Sequence, residues 1–160
     1  MSVPSLLDSI RVAKDNEEIA SKSYAGAADI IRNPWGKELF RELSKFEQYH
    51  LEILTALAKS LEETGKYINY EGKEFPVPPI FEIKAAEEPN TKSVMHIVTE
   101  AIELETTAEK AYAKLAGQIS DPQGHQMFSR LSEEEHKHYL ILWEAYWTLN
   151  NSGTWTWVNP

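Results

Sequence analysis

Four glutamates and two histidines interrupt otherwise apolar helical stripes, two glutamates and one histidine in each of two copies that share one register. Along the first run Leu6, Ile10, Ala13, Glu17, Ala20, Tyr24, Ala27 and Ile31 advance in alternating steps of four and three, the mark of one helix face turned to partner helices. A second run reads Phe40, Leu43, Glu47, His50, Leu54, Leu57 and Leu61. A third reads Val94, Val98, Ala101, Glu105, Ala108, Tyr112, Leu115 and Ile119, and a fourth reads Phe128, Leu131, Glu135, His138, Leu142, Ala145 and Leu149. Glu17 and Glu105, Tyr24 and Tyr112, Glu47 and Glu135, and His50 and His138 each stand 88 positions apart with no gap. Pro34 and Gly36 meet Pro122 and Gly124 at the same offset. Generic helix composition matches alanines and leucines, but not a Pro-x-Gly turn, tyrosines and Glu-x-x-His pairs together. The chain therefore reads as a duplicated helical hairpin with near two-fold internal symmetry.

The boundaries follow from local chemistry. Ser5, with Asp8 three residues on, resembles a capping box, and Asn33-Pro34 and Asp121-Pro122 each set a capping side chain before a proline at the first helical position. Helices are expected at about 5–32, 34–64, 91–120 and 122–150, with short turns that force antiparallel neighbours. Between the halves, residues 65–90 are proline-punctuated and lack helical period, so they read as a long crossover from the second helix to the third. The expected fold is an all-α four-helix bundle forming a single domain over residues 1–160, with a tryptophan-bearing tail at 151–160.

Six stripe positions are ionisable: Glu17, Glu47, His50, Glu105, Glu135 and His138. An uncompensated buried carboxylate costs several kcal/mol or takes up a proton, and four facing one another repel strongly. Shared protons, paired cations or metal ions would relieve this. No lysine or arginine occupies the middle turns of the stripes, which favours metal. Residues three apart on a helix lie roughly 5–6 Å from each other, so each Glu-x-x-His can grip one ion as a half-site. Glu17 and Glu105 complete a set of four carboxylates and two imidazoles, whose charge offsets two divalent cations. A glutamate from each of two helices with Glu-x-x-His from each of two others is the donor set of carboxylate-bridged di-iron and di-manganese bundles. Hard oxygen donors with imidazole suit iron or manganese, and zinc also fits.

The run LSEEEHKHYLIL at 131–142 is ambiguous in register, and its earlier copy LSKFEQYHLEIL resolves it. Glu135 and His138 fall on the inward stripe, whereas Glu133, Glu134 and His136 are expected in solvent.

Composition sets outer limits. A formal charge of −9 disfavours nucleic acid or an anionic membrane as partner. With no cysteine there is no thiolate catalysis, cysteine-ligated zinc or iron–sulfur cluster in these 160 residues. No run approaches the roughly 18 apolar residues of a membrane helix, and MSVPSLLDSI lacks signal-peptide character, so a cytoplasmic location is expected.

Glu17-x6-Tyr24, Glu47-x-x-His50, Glu105-x6-Tyr112 and Glu135-x-x-His138, in that order around a long crossover, resemble the rubrerythrin-type branch of the ferritin-like superfamily. The resemblance implies a ferritin-like bundle around two iron ions. Glu47 and Glu135 would bridge, with Glu17, His50, Glu105 and His138 terminal. It also implies that Tyr24 and Tyr112 donate hydrogen bonds close to the centre. On spacing alone they also fit as plain core aromatics, since seven residues along a helix is roughly 10 Å. Two departures stand out. Without cysteine there is no rubredoxin-type iron site in the chain, so electrons would come from a separate donor such as a rubredoxin-like protein. The family's extra glutamate, three residues after the third-helix ligand, is Ala108 here, and Glu109 reads as a surface residue.

Three functions are compatible: reduction of hydrogen peroxide or dioxygen, ferritin-like iron oxidation and storage, and a non-catalytic metal-stabilised bundle. Trp143, Trp147, Trp155 and Trp157 would either anchor a homodimer or pack back on the bundle.

Overall fold

The computed structural model describes residues 1–83 and 86–160; positions 84 and 85 of the crossover lie outside them. Four long helices form the body: α1 Val3–Ile30, α2 Pro34–Thr64, α3 Thr91–Gln118 and α4 Pro122–Ser152. Asn33 accepts the Trp35 N–H at 2.9 Å, and Asp121 accepts those of Gln123 and Gly124 at 2.9 and 3.0 Å, so both prolines open their helices as expected. The cap of α1 is not Ser5 but Ser2, whose hydroxyl accepts the Ser5 N–H at 3.3 Å, so the helix begins earlier. Gly65 and Gly153 close α2 and α4 at φ of 68° and 66°, a left-handed conformation that a side chain would strain.

Two apolar clusters show how the helices run. One gathers Leu6 and Ile10 from the start of α1, Leu57 and Leu61 from the end of α2, Leu115 from the end of α3 and Phe128 from the start of α4. The other gathers the opposite ends, with Ile31, Leu39, Val98 and Leu149 among them. α1 and α4 therefore run one way and α2 and α3 the other, and the crossover must travel the length of the bundle. This is the antiparallel four-helix bundle of duplicated hairpins that the stripes imply. Every stripe residue is buried except Ala108, which is half-buried. Among the described residues no helix is long and apolar enough to cross a membrane.

The crossover packs rather than dangles. Tyr70 and Phe81 are buried, a 3-10 turn forms at Pro79–Glu82, and a two-residue strand β1 (Ala86–Glu87) pairs antiparallel with β2 (Thr154–Trp155) in the tail. The Trp155 indole N–H donates to buried Glu88 at 3.0 Å, and the ring stacks on Trp35 with centroids 5.6 Å apart. Close approach explains Gly36, where a Cβ would come within 2.5 Å of Trp155. The other half repeats the device, since a Cβ at Gly124 would come equally close to Tyr67. Gly65 and Gly153, and Tyr67 and Trp155, are again 88 positions apart, so the duplication continues past the helices. Of the four tail tryptophans, Trp155 and Trp157 pack back, the latter against Phe75 and Phe81, while Trp143 and Trp147 stay about half exposed.

Candidate metal centre

The helical periods of α1 to α4 carry all six ionisable stripe residues to one level between the two apolar clusters. None is more than 3% exposed. Glu17, Glu47, His50 and Glu135 form one group, and Glu47, Glu105, Glu135 and His138 a second; in each, one donor atom per residue lies within 4.8 Å of all the others. Glu47 and Glu135 are shared by both groups. His50 Nδ1 lies 3.1 Å from Glu47, 2.9 Å from Glu135 and 3.5 Å from Glu17. His138 Nδ1 mirrors it at 2.9 Å from Glu47, 3.2 Å from Glu135 and 3.5 Å from Glu105. Both imidazoles thus turn the same nitrogen inward.

Tyr24 and Tyr112 lie beside the centre but do not serve the glutamate of their own helix. The Tyr24 hydroxyl donates to Glu105 at 2.8 Å, and that of Tyr112 donates to Glu17. Because α1 and α3 are antiparallel, seven residues along one helix bring the hydroxyl level with the glutamate of the other.

The proton balance is strained as it stands. Burial first, then the charges of Glu105 and Glu17, pushes Glu47 from 4.5 up to about 8. Burial first, then the charge of Glu47, likewise raises Glu135. Burial opposes the charged form of both histidines, but the carboxylates outweigh it and raise them, led by Glu135 for His50 and by Glu105 for His138. Burial would also raise Glu17, yet the hydrogen bond and charge of His50 bring it down to about 2. Four carboxylates against two imidazoles, with no lysine or arginine pairing to them among the described residues, are a site short of positive charge. Glu135 Oε2 is moreover buried without a hydrogen bond. A donor set of this composition and spacing fits two divalent transition-metal ions.

A pH dependence follows for the metal-free protein. Glu47, Glu135, His50 and His138 hold protons more tightly folded than unfolded, so their stabilisation is complete below the unfolded values and is lost as pH rises through the folded ones. Glu17 and Glu105, whose carboxyls the histidines bring down, act oppositely, but their contribution is lost only as pH falls below the ordinary carboxylate range. Thermal melts of chelator-stripped protein are therefore expected to fall by on the order of 10 °C between about pH 5 and pH 9. Metal-loaded protein should not fall in this way, because ions displace the same protons and bind better as pH rises. A metal-free melting temperature that climbs across that window would contradict the proton balance.

One neighbour of the inward stripe is not where its register predicts. Glu133 and His136 are exposed as expected, but Glu134 is buried, 1% exposed. Its carboxylate accepts the Tyr70 hydroxyl at 2.6 and 2.8 Å and the Lys73 N–H at 2.7 Å, and meets His50 Nε2 at 3.2 Å. The signal was present in the first copy, where the equivalent residue is the apolar Phe46. Glu109 points away from the centre, pairing with His136 at 3.0 Å. A cavity of about 450 Å³ opens between α1 and α3, with apolar walls including Ala20, Leu104 and Ala108. Its floor is Glu17, Glu47, Glu105 and Glu135, and Glu100 and Glu103 also line it.

With two buried Glu-x-x-His pairs facing two glutamates across a duplicated bundle, the comparison with known proteins is direct: residues 8–146 match the rubrerythrin family. The chain belongs to that family. The rubrerythrin match spans all six ionisable stripe residues and both tyrosines. A solved structure of a hypothetical protein from Pyrococcus furiosus shares the fold, with a TM-score of 0.72 at 21% identity over 94% of this chain and 92% of that one. No curated protein matches the sequence. Rubrerythrin membership and the buried carboxylate–imidazole cluster together make this a ferritin-like bundle with a potential metal site.

Proposed function

We propose that the protein is a di-iron carboxylate oxidoreductase that reduces hydrogen peroxide or dioxygen. The observation that carries this reading is the pair of overlapping buried donor groups with Glu47 and Glu135 common to both. These two glutamates would bridge, Glu17 and His50 would hold one iron ion, and Glu105 and His138 the other. Iron would supply the redox chemistry when bound, two ferrous ions furnishing the two electrons that, with two protons from solvent, take peroxide to two waters. Tyr24 and Tyr112 fix the outer glutamates by hydrogen bonds. The two apolar clusters flank the centre above and below, and the cavity between α1 and α3 offers an approach for a small oxidant. These 160 residues hold no cysteine, so the electrons that restore the ferrous state come from a separate donor.

Iron oxidation and storage is the second reading, favoured by the acidic residues Glu100 and Glu103 lining the cavity, which would draw cations toward the same floor. Stopped-flow oxidation of the ferrous protein separates the two. Oxidation by peroxide at least tenfold faster than by dioxygen is the expected result; accumulation of many irons per chain would favour storage, and inertness to both oxidants would leave a metal-stabilised scaffold.

A further inference from the structure

Duplication allows the two ends of the centre to be compared position by position, and behind the two histidines they differ. His50 and His138 are equivalent and both turn Nδ1 inward. Their outer nitrogens meet different surroundings. His50 Nε2 lies 3.2 Å from the carboxylate of Glu134. The counterpart of Glu134, 88 residues earlier, is Phe46, whose ring stands edge-on to His138 with centroids 4.5 Å apart. Phe75 of the crossover packs on the same imidazole at 5.5 Å, and His138 Nε2 is buried with no hydrogen-bond partner.

The crossover maintains the difference. Tyr70 and the backbone N–H of Lys73 hold Glu134 in place, and Arg130 Nε lies 3.9 Å from it. A few residues further along, Phe75 covers the other histidine. A single non-repeated segment therefore clamps the carboxylate behind one imidazole and lays an apolar ring over the other. Such a carboxylate fixes the tautomer and orientation of a ligating imidazole and makes its inner nitrogen the stronger donor. Its loss typically weakens metal binding 10–100-fold.

We infer that Glu134 is a positioning residue that makes the two metal positions inequivalent, the Glu17–His50 end binding first and more tightly than the Glu105–His138 end. This rests on the metal-centre reading proposed above. The test is an anaerobic titration of the full chain with cobalt(II) against a competing chelator, followed by the cobalt absorption bands. The wild-type protein should bind in two steps separated by about 10–100-fold. Glu134→Gln should weaken the first step by about that factor and leave the second in place, which a merely structural role would not do. Tyr70→Phe, which keeps the carboxylate but removes its clamp, should move the first step the same way by less. Two ions bound with one affinity in the wild type, or both steps weakened equally in the variants, would overturn the inference. The wild-type and Tyr70→Phe titrations decide it even if Glu134→Gln fails to fold. A wild-type protein that binds no cobalt at all would instead overturn the metal reading.

Discussion

Glu135→Ala is expected to reduce bound transition metal from about two ions per chain to fewer than one. The carboxylate is fully buried and belongs to both donor groups, so its loss removes a donor from each ion at once. A terminal residue such as Glu17 touches only one group, and its loss should be felt mainly at one position. Glu133→Ala, two residues away on the exposed face, is the matched control and should retain both ions. Metal analysis after anaerobic loading with ferrous iron reads the outcome. If Glu135→Ala retained both ions, the assignment of a shared bridging glutamate would be wrong.

The second large effect is on stability. Trp155→Ala should destabilise the fold by about 3–5 kcal/mol, lowering the melting temperature by roughly 6–20 °C. The indole is fully buried, stacks on Trp35 and fills the seat left by Gly36. Its removal also strips the hydrogen bond from Glu88, which is itself buried, and unpins β2 from β1. Thermal denaturation measures the effect, and a shift of only a degree or two would mean that the tail merely rests on the bundle.

Much of the bundle is legible because burial on a helix repeats with the helix period. Leu6 through Ile31 and Phe128 through Leu149 form stripes, and ionisable residues on those stripes have few reasons to be there. The four shared-level carboxylates and two imidazoles were visible for that reason, and the 88-residue offset fixed their register. Glu134 was not, since three consecutive glutamates carry no register of their own and a carboxylate off the main stripe ordinarily sits in water. Reading Phe46 as its counterpart would have placed it inside. The crossover resisted for a different reason: residues 65–90 have no period, so nothing in the sequence says that Tyr70 points at Glu134 or Phe75 at His138. The tyrosine roles needed the antiparallel pairing of α1 and α3, which spacing along a single helix does not convey. Trp155 was half legible, because the Gly65–Tyr67 and Gly153–Trp155 pairs keep the offset after the helices end.

The most direct test of the centre is an anaerobic titration of metal-free wild-type protein with ferrous iron. Binding should saturate at about two ions per chain, and spectroscopy of the oxidised product should show the two irons coupled through a bridge. A folded protein that stays metal-free after such reconstitution, or that saturates at a single ion, would contradict the dinuclear centre.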